Sequence, residues 1–268
     1  MHRTAVADIP VYQFELIAAA EEVIHGVTTR HGGVSAPPFD SLNLSLHVGD
    51  SPERVIENRR RLCLALDLDF RKYTVPQEIG GDAIHVVSDR DAGAGRVTLE
   101  DWIPGTDALV VAEPGITIAI TVADCAPIVL YDAENHIGAL VHAGGSGTSA
   151  AIAAKAVRFL AAQCGSRPAA LLAGIGPAIG PCCYEVTEEI ARDVSAGFPY
   201  REPVVQQRNG RWYANLEEAN RQQLVESGLD EDRVERCGLC TACRTDEFYS
   251  DRQEGRPTGR FVAVLCLR

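Results

Sequence analysis

Residues 107–143 read DALVVAEPGITIAITVADCAPIVLYDAENHIGALVHA. Four apolar runs, at 107–113, 116–124, 127–132 and 137–143, are separated by Pro-Gly, Ala-Pro and Asn-His breaks, the spacing of short strands joined by tight turns. Several runs are apolar on both faces, as in a sheet covered by other layers. AIHVVSD at 83–89 and VIHGVTT at 23–29 are further strands upstream, and RFVAVLCLR at 260–268 closes the chain as another. Helices are expected elsewhere. SPERVIENRRRLCLAL at 51–66 has Ser51 to cap it, Pro52 for its first position, and Val55, Leu62, Leu64 and Leu66 as an apolar face. SAAIAAKAVRFLAAQC at 149–164, EEIARDVSAGF at 188–198 and NLEEANRQQLVESG at 215–228 follow the same period, and ALLAGIGPAIG at 170–180 returns to a strand and a Gly-Pro turn. Strands and helices mix without strict alternation, and no linker interrupts them. The expected fold is α+β: one domain over residues 1–268, built of mixed β-sheets layered with helices.

Composition bounds what such a domain does. The chain has 268 residues, 46% of them hydrophobic and 23% charged, enough to bury a core without disulfide staples. Lys and Arg number 25 against 37 Asp and Glu, a net charge of −12. That field argues against nucleic acid or an anionic membrane as partner, and it repels anionic substrates unless a local Arg cluster offsets it. No apolar run reaches the ~20 residues of a membrane span. The start, MHRTAVADIPVYQFEL, lacks the apolar core of a signal peptide, so a cytoplasmic protein is expected, monomeric or homodimeric. Nine cysteines in such a chain are metal ligands, a nucleophile or small core residues, not a disulfide framework.

Four segments carry more chemistry than folding needs. TTRHGGVS at 28–35 sets Arg30, a planar five-donor fork, beside glycines that let backbone approach a ligand, with Asn43 and His47 downstream. Val122-Ala123-Asp124-Cys125-Ala126-Pro127 puts a thiol and a carboxylate at a strand end. Val141-His142-Ala143-Gly144-Gly145-Ser146-Gly147-Thr148 ends a strand in a histidine and a Gly-rich turn into a helix, a place for anions. Cys125 and His142 end neighbouring strands, so they can share a site as nucleophile and base or as two ligands of a metal. The fourth is Cys237-Gly-Leu-Cys240-Thr-Ala-Cys243, then Tyr249, Arg252 and Arg260. It has a metal-like spacing but three ligands in place of four. Adjacent cysteines rarely face one metal, so with Cys182 and Cys183 these thiols read as structural, lining a pocket with Tyr249 and Arg252.

At these residues the chain resembles the laccase-domain family, also called YfiH-like or multicopper polyphenol oxidoreductase-like, whose members are described as purine nucleoside phosphorylases with adenosine deaminase activity. TTRHGGVS, FDSLNLSLHVGD, ENRRRL, TDALVV, PGITIAITVADCAPI, VHAG, GIGPAIGPCCYEV, CTAC, FYS and TGR follow the family order along nearly the whole chain. The resemblance implies a YfiH-like, cysteine-hydrolase-like sandwich. It implies catalytic residues Cys125 and His142, substrate contacts among Arg30, Asn43, His47, Asp124, Tyr249, Arg252 and Arg260, and nucleoside and phosphate as small-molecule partners. Zinc is the implied cofactor, held by Cys125, His142 and a second histidine, with no organic cofactor. Nothing resembles the ligand pattern of true multicopper laccases.

Three site motifs depart from the family. Q-V-H-G is Gln77-Glu78-Ile79-Gly80 here, so Ile79 stands where the second histidine belongs, and an Ile cannot ligate. Along a strand His85 is ~20 Å from that position. Glu78 faces the other way unless a bulge turns it inward to give Cys/His/Glu. A lost metal site is the favoured reading. H-A-G-W-R-G has become His142-Ala143-Gly144-Gly145-Ser146-Gly147, and S-Y-R-R has become Ser250-Asp251-Arg252-Gln253. Three readings follow: a family phosphorylase, a repurposed metal-free Cys/His enzyme on another small molecule, and a non-catalytic ligand-binding or partner protein.

Overall fold

The computed structural model describes residues 1–6, 8–196 and 204–268. Its strands are β1 (His2–Val6), β2 (Ile9–Gln13), β3 (Val23–Thr28), β4 (Tyr73–Thr74), β5 (Ile84–Val87), β6 (Ala108–Val111), β7 (Thr117–Val122), β8 (Ala126–Asp132), β9 (Ile137–Ala143), β10 (Leu172–Ile175), β11 (Glu185–Val186), β12 (Val205–Arg208), β13 (Arg211–Ala214), β14 (Val234–Arg236) and β15 (Phe261–Leu267). The helices are α1 (Glu15–Ala18), α2 (Pro52–Ala65), α3 (Gly145–Ser149), α4 (Ile152–Cys164), α5 (Glu188–Val194), α6 (Leu216–Glu226) and α7 (Asp251–Glu254). One sheet runs β1-β2-β3-β15-β7-β4, a second β14-β10-β8-β9-β6-β5, and a small third β11-β13-β12. Most neighbours are antiparallel; β4/β7, β5/β6 and β10/β14 are parallel.

Strand alternation explains the layering. Along β15, Val262 and Val264 join Leu62 and Cys63 of α2 on one face, while Ala263 and Leu265 enter the core between the two large sheets. Along β8, Ile128 and Leu130 meet Ala153, Val157 and Leu160 of α4, while Val129 and Tyr131 point into the same inter-sheet core. The order is therefore helix α2, sheet, sheet, helices α4 and α6, a mixed α+β single domain. Gly138 of β9 and Gly174 of β10 let the sheets close: a Cβ at the first would strike Leu265, and at the second the Phe14 ring. No helix among the described residues is long and apolar enough to cross a membrane.

Four local expectations need correction. Ser51 sits at the start of α2 but does not cap it; its hydroxyl donates to the Glu53 carboxylate at 2.5 Å. Leu64 is 83% exposed, and Cys63 takes its place on the buried face. The helix expected over 149–164 is broken at Ala151, whose φ of 57° leaves the helical region, so α3 and α4 are separate. The strand alternation used to orient Glu78 does not apply, because 77–79 is a loop. Of the helix expected over 188–198, residues 197 and 198 lie outside the described residues.

Candidate active site

Cys125 and His142 come together because β8 and β9 are antiparallel neighbours, with Ala126 opposite Ala143 and Pro127 opposite His142. Cys125 precedes β8 at a sharp bend. Asp124 there has a φ of 83°, an uncommon conformation for a residue with a Cβ. Three bonds hold it: Thr241 Oγ1 donates to Asp124 Oδ1 at 2.6 Å, the Arg252 amide to Oδ2 at 2.8 Å, and the Ile179 amide to the Asp124 carbonyl at 2.8 Å. Asp124 is thus a buried bracket that fixes the half-buried Cys125 thiol.

Asp107, one residue before β6, orients His142. Its Oδ1 bonds His142 Nδ1 at 2.8 Å and accepts the Gly80 amide at 2.9 Å, and its Oδ2 accepts the amides of Ile79 at 3.2 Å and Gly81 at 2.8 Å. Those bonds hold the Asp107 carboxyl below the usual range even though burial opposes it. With Nδ1 taken, the other ring nitrogen is left for Cys125. Burial alone would depress His142, but the Cys125 sulfur, the Asp107 bond and the Glu78 carboxylate outweigh it and raise His142 well above its ordinary value. Glu78 turns inward. Its carboxylate accepts the Thr121 amide at 2.6 Å and the Thr121 hydroxyl at 3.0 Å, and burial pushes its proton affinity up despite His142. The Ile79 side chain points outward, 63% exposed.

The Gly-rich turn after β9 covers this group. A Cβ on Gly144 would sit 2.8 Å from Cys125 Sγ, so the thiol occupies the space a side chain would need. Asn220 and Gln223 of α6 donate to the Thr148 hydroxyl and carbonyl, tying the turn to the helix layer. Beside it lie two open clefts that share Tyr184 and Ile190. One, of about 560 Å³, is lined by Gly145, Ser146 and Asp193; the other, of about 670 Å³, by Arg252, Arg211, Glu185 and Trp212.

The remaining candidates divide. Arg252 lines the larger cleft, its guanidinium donating to the Glu185 carbonyl and lying 5.4 Å from the Tyr184 ring centre. His47 and Arg260 line a different cavity of about 350 Å³ with Arg256 and Thr258, and Arg260 is ion-paired with Asp251. The Arg30 guanidinium is taken up by Glu254 and the carbonyls of Thr245 and Asp40, over the Tyr249 ring. Asn43 is buried, bonding Asp50, Ser45 and the Arg260 amide. Tyr249 is buried with its hydroxyl on the Phe39 carbonyl, so it does not share a pocket wall with the cysteines, which corrects that expectation. Sequence reasoning passes over Asp107, Tyr184 and Thr241, and weighs Glu78 only as a metal ligand. Only Asp107 carries a signal, a carboxylate at a strand start inside the TDALVV motif.

The zinc implied by the resemblance needs at least three donors that converge on one point. Among the described residues, one group of three or more His, Cys, Asp or Glu side chains has its donor atoms all within 4.8 Å of one another, and it is Cys182, Cys183, Cys240 and Cys243. Cys125 and His142 gather no third donor, Asp107 being on the far side of the imidazole and Glu78 bonded to Thr121. A pair falls short of the three protein ligands of a catalytic zinc site, so these residues do not fit that ion.

Residues 24–268 match the family model described as multi-copper polyphenol oxidoreductase laccase. The chain is 34% identical over 247 residues to a protein of Geobacillus stearothermophilus named purine nucleoside phosphorylase YlmD, covering 91% of this chain and 90% of that one. The crystal structure of YlmD from Geobacillus stearothermophilus superimposes with a TM-score of 0.93 at 32% identity, covering 99% of this chain and 98% of that one. The hypothetical protein YfiH of Bacillus licheniformis does so with a TM-score of 0.91 at 34% identity, covering 97% of each.

Proposed function

The chain belongs to the multi-copper polyphenol oxidoreductase laccase family, and on that premise we propose that it is a purine nucleoside phosphorylase-type enzyme of the cytosol, taking a purine nucleoside and inorganic phosphate. The observation that carries the reading is the Cys125–His142–Asp107 array, set under the Gly144–Thr148 turn and beside clefts large enough for a nucleoside. In phosphorolysis a phosphate oxygen bonds to the sugar C1′ while the C1′–N bond breaks and its electron pair leaves with the purine. The purine then needs a proton. His142 is held in its charged form by Cys125, Asp107 and Glu78, which suits it to give that proton. Phosphate needs fixed positive charge, and Arg252 and Arg211 are the cations of the larger cleft. The test is to incubate purified protein with adenosine or inosine and phosphate. Free base and ribose 1-phosphate should appear, and inosine from adenosine would reveal deamination. Product no greater than that of a Cys125→Ala control overturns the reading.

A second reading rests on the same thiol. Cys125 beside an imidazole whose far nitrogen is held by a carboxylate is also the arrangement of a cysteine nucleophile. Under it, iodoacetamide would alkylate Cys125 faster than a free thiol, and Asp107→Asn would slow that reaction. Alkylation of Cys125 no faster than a model thiol removes it.

A further inference from the structure

Two segments meet over four sulfurs behind Asp124. Cys182 and Cys183 come from the loop after β10, and Cys240 and Cys243 from the turn after β14. Their Sγ atoms all lie within 4.8 Å of one another. Cys243 Sγ is 3.5 Å from Cys182 Sγ and 3.4 Å from Cys183 Sγ. These separations are far beyond the ~2 Å of a disulfide. They are close to the ~3.8 Å edge of a tetrahedron of sulfurs around an ion at ~2.3 Å from each.

The backbone is shaped around the cluster. Ala178 bridges Cys240, with the Ala178 amide on the Leu239 carbonyl and the Thr241 amide on the Ala178 carbonyl. The Gly180 amide donates to Cys240 Sγ at 3.2 Å, the kind of N–H contact that stabilises a thiolate. A Cβ on Gly180 would come to 3.3 Å from Cys182 Sγ and 3.2 Å from Cys240 Cβ, so a side chain there would crowd the cradle. Cys237 stays outside: its amide bonds the Ile175 carbonyl, and its sulfur is not in the group.

We propose that Cys182, Cys183, Cys240 and Cys243 bind one zinc ion through four thiolates, as a structural site separate from Cys125 and His142. An all-sulfur set of four selects a soft or borderline metal and leaves no position open for substrate. On binding, four metal–sulfur bonds form and the four S–H protons pass to solvent. The adjacent pair Cys182-Cys183 supplies two ligands, against the expectation that neighbours rarely do, because the turn at 180–184 lets both sulfurs approach Cys243.

The place of the site gives it a task. The two segments it joins supply two of the three bonds on Asp124, one through the Ile179 amide and the other through the Thr241 hydroxyl. The ion therefore pins the bracket behind Cys125, and Tyr184, next to Cys183, is positioned with it. The Cys182-Cys183 and Cys240-x-x-Cys243 ligands act on the reaction only through Asp124 and Tyr184, as positioning residues.

The experiment is metal analysis of the full chain purified anaerobically in reductant. About one zinc per chain is expected. Cys125→Ser should keep it, and Cys243→Ser and Cys182→Ser should each lower it at least about tenfold. Should those variants fail to fold, the wild-type chain still gives the answer. Extraction with a strong chelator should lower the Tm, zinc should restore it, and cobalt should give the intense visible and charge-transfer bands of tetrahedral sulfur coordination. Four results overturn the proposal: less than about 0.1 zinc per chain, zinc lost in Cys125→Ser but kept in Cys243→Ser, disulfides among the four cysteines in the anaerobic protein, or iron with inorganic sulfide in place of zinc. Each is read from metal content and absorbance, so it stands or falls apart from phosphorolysis.

Discussion

An Asn at position 107 would present an N–H to an N–H. The Asp107 carboxylate accepts four hydrogen bonds, two at each oxygen, and an amide nitrogen cannot accept any of them. Asp107→Asn should therefore lower kcat/KM by about 100-fold or more, as losses at a histidine's orienting partner do. It should also cost about 1–3 kcal/mol of stability from buried groups left unpaired. Steady-state kinetics beside urea unfolding separate the two effects, and kinetics within about twofold of wild type would remove Asp107 from the mechanism. Gly144→Ala tests the thiol itself. Gly144 has φ −78° and ψ −175°, which any residue adopts, so the backbone tolerates Ala and the new methyl acts on Cys125 Sγ alone. Activity and the alkylation rate of Cys125 should both fall with little change in Tm. The pairing of Cys125 with His142 is legible in the sequence, because seventeen residues carrying two strands and a turn bring the ends of a hairpin together. Glu78 is not legible. Its direction is set by Asp107, which gathers the amides of the next three residues from 26 to 28 positions away, and no local alternation rule contains that.

At the scale of elements, α2 is anchored by a buried guanidinium that donates to backbone carbonyls. Arg59 is 1% exposed and donates to the carbonyls of Leu44, Gly95 and Arg96, with Tyr73 stacked 5.5 Å away. It thereby ties the loop before α2 to the 93–96 turn and closes one end of the outer layer. Arg59→Leu strands three carbonyls, two of them in buried bonds, and a buried group costs about 1–3 kcal/mol when unpaired. A loss of several kcal/mol in urea denaturation is expected, and Arg59→Lys should recover only part of it because an ammonium cannot span the same three acceptors. A change below about 0.5 kcal/mol would mean that water takes the guanidinium's place. The period of α2 predicts its ends well, yet the Arg59 role is invisible there, since its acceptors lie in loops. The β12/β13 hairpin is the reverse case. Its Asn209-Gly210 turn, both residues at positive φ, is a strong hairpin signal, but the flanking VQQR and RWYA carry too few apolar residues to read as strands of a core.

In the whole molecule, the two large sheets close on a shared core, and His25 lies beside one of its contacts. Phe14 fits over Gly174 of the opposite sheet, its ring stacks on His25 at 5.9 Å, and its amide donates to His25 Nε2 at 2.9 Å. That nitrogen must be unprotonated to accept. The fold class was legible in how apolar runs and helical segments mix along the chain, but this lock was not, because it joins residues 14, 25 and 174 across the sandwich. Burial pushes His25 down to about 4, with only a partial offset from Glu235. The sign follows from linkage. The unfolded chain takes up the proton near the ordinary value of about 6.5, whereas the folded one resists it until about pH 4. The His25 contribution is therefore constant above about pH 6.5 and lost progressively as pH falls toward 4, by as much as about 3 kcal/mol. His25→Gln keeps an acceptor for the Phe14 amide and has nothing to titrate in this range. Urea unfolding between about pH 7.5 and 4.5 should then show a steeper acid loss in wild type than in the variant. Equal slopes would mean that His25 titrates alike in the folded and unfolded chains, and that the sandwich opens enough at Phe14 to let the proton in.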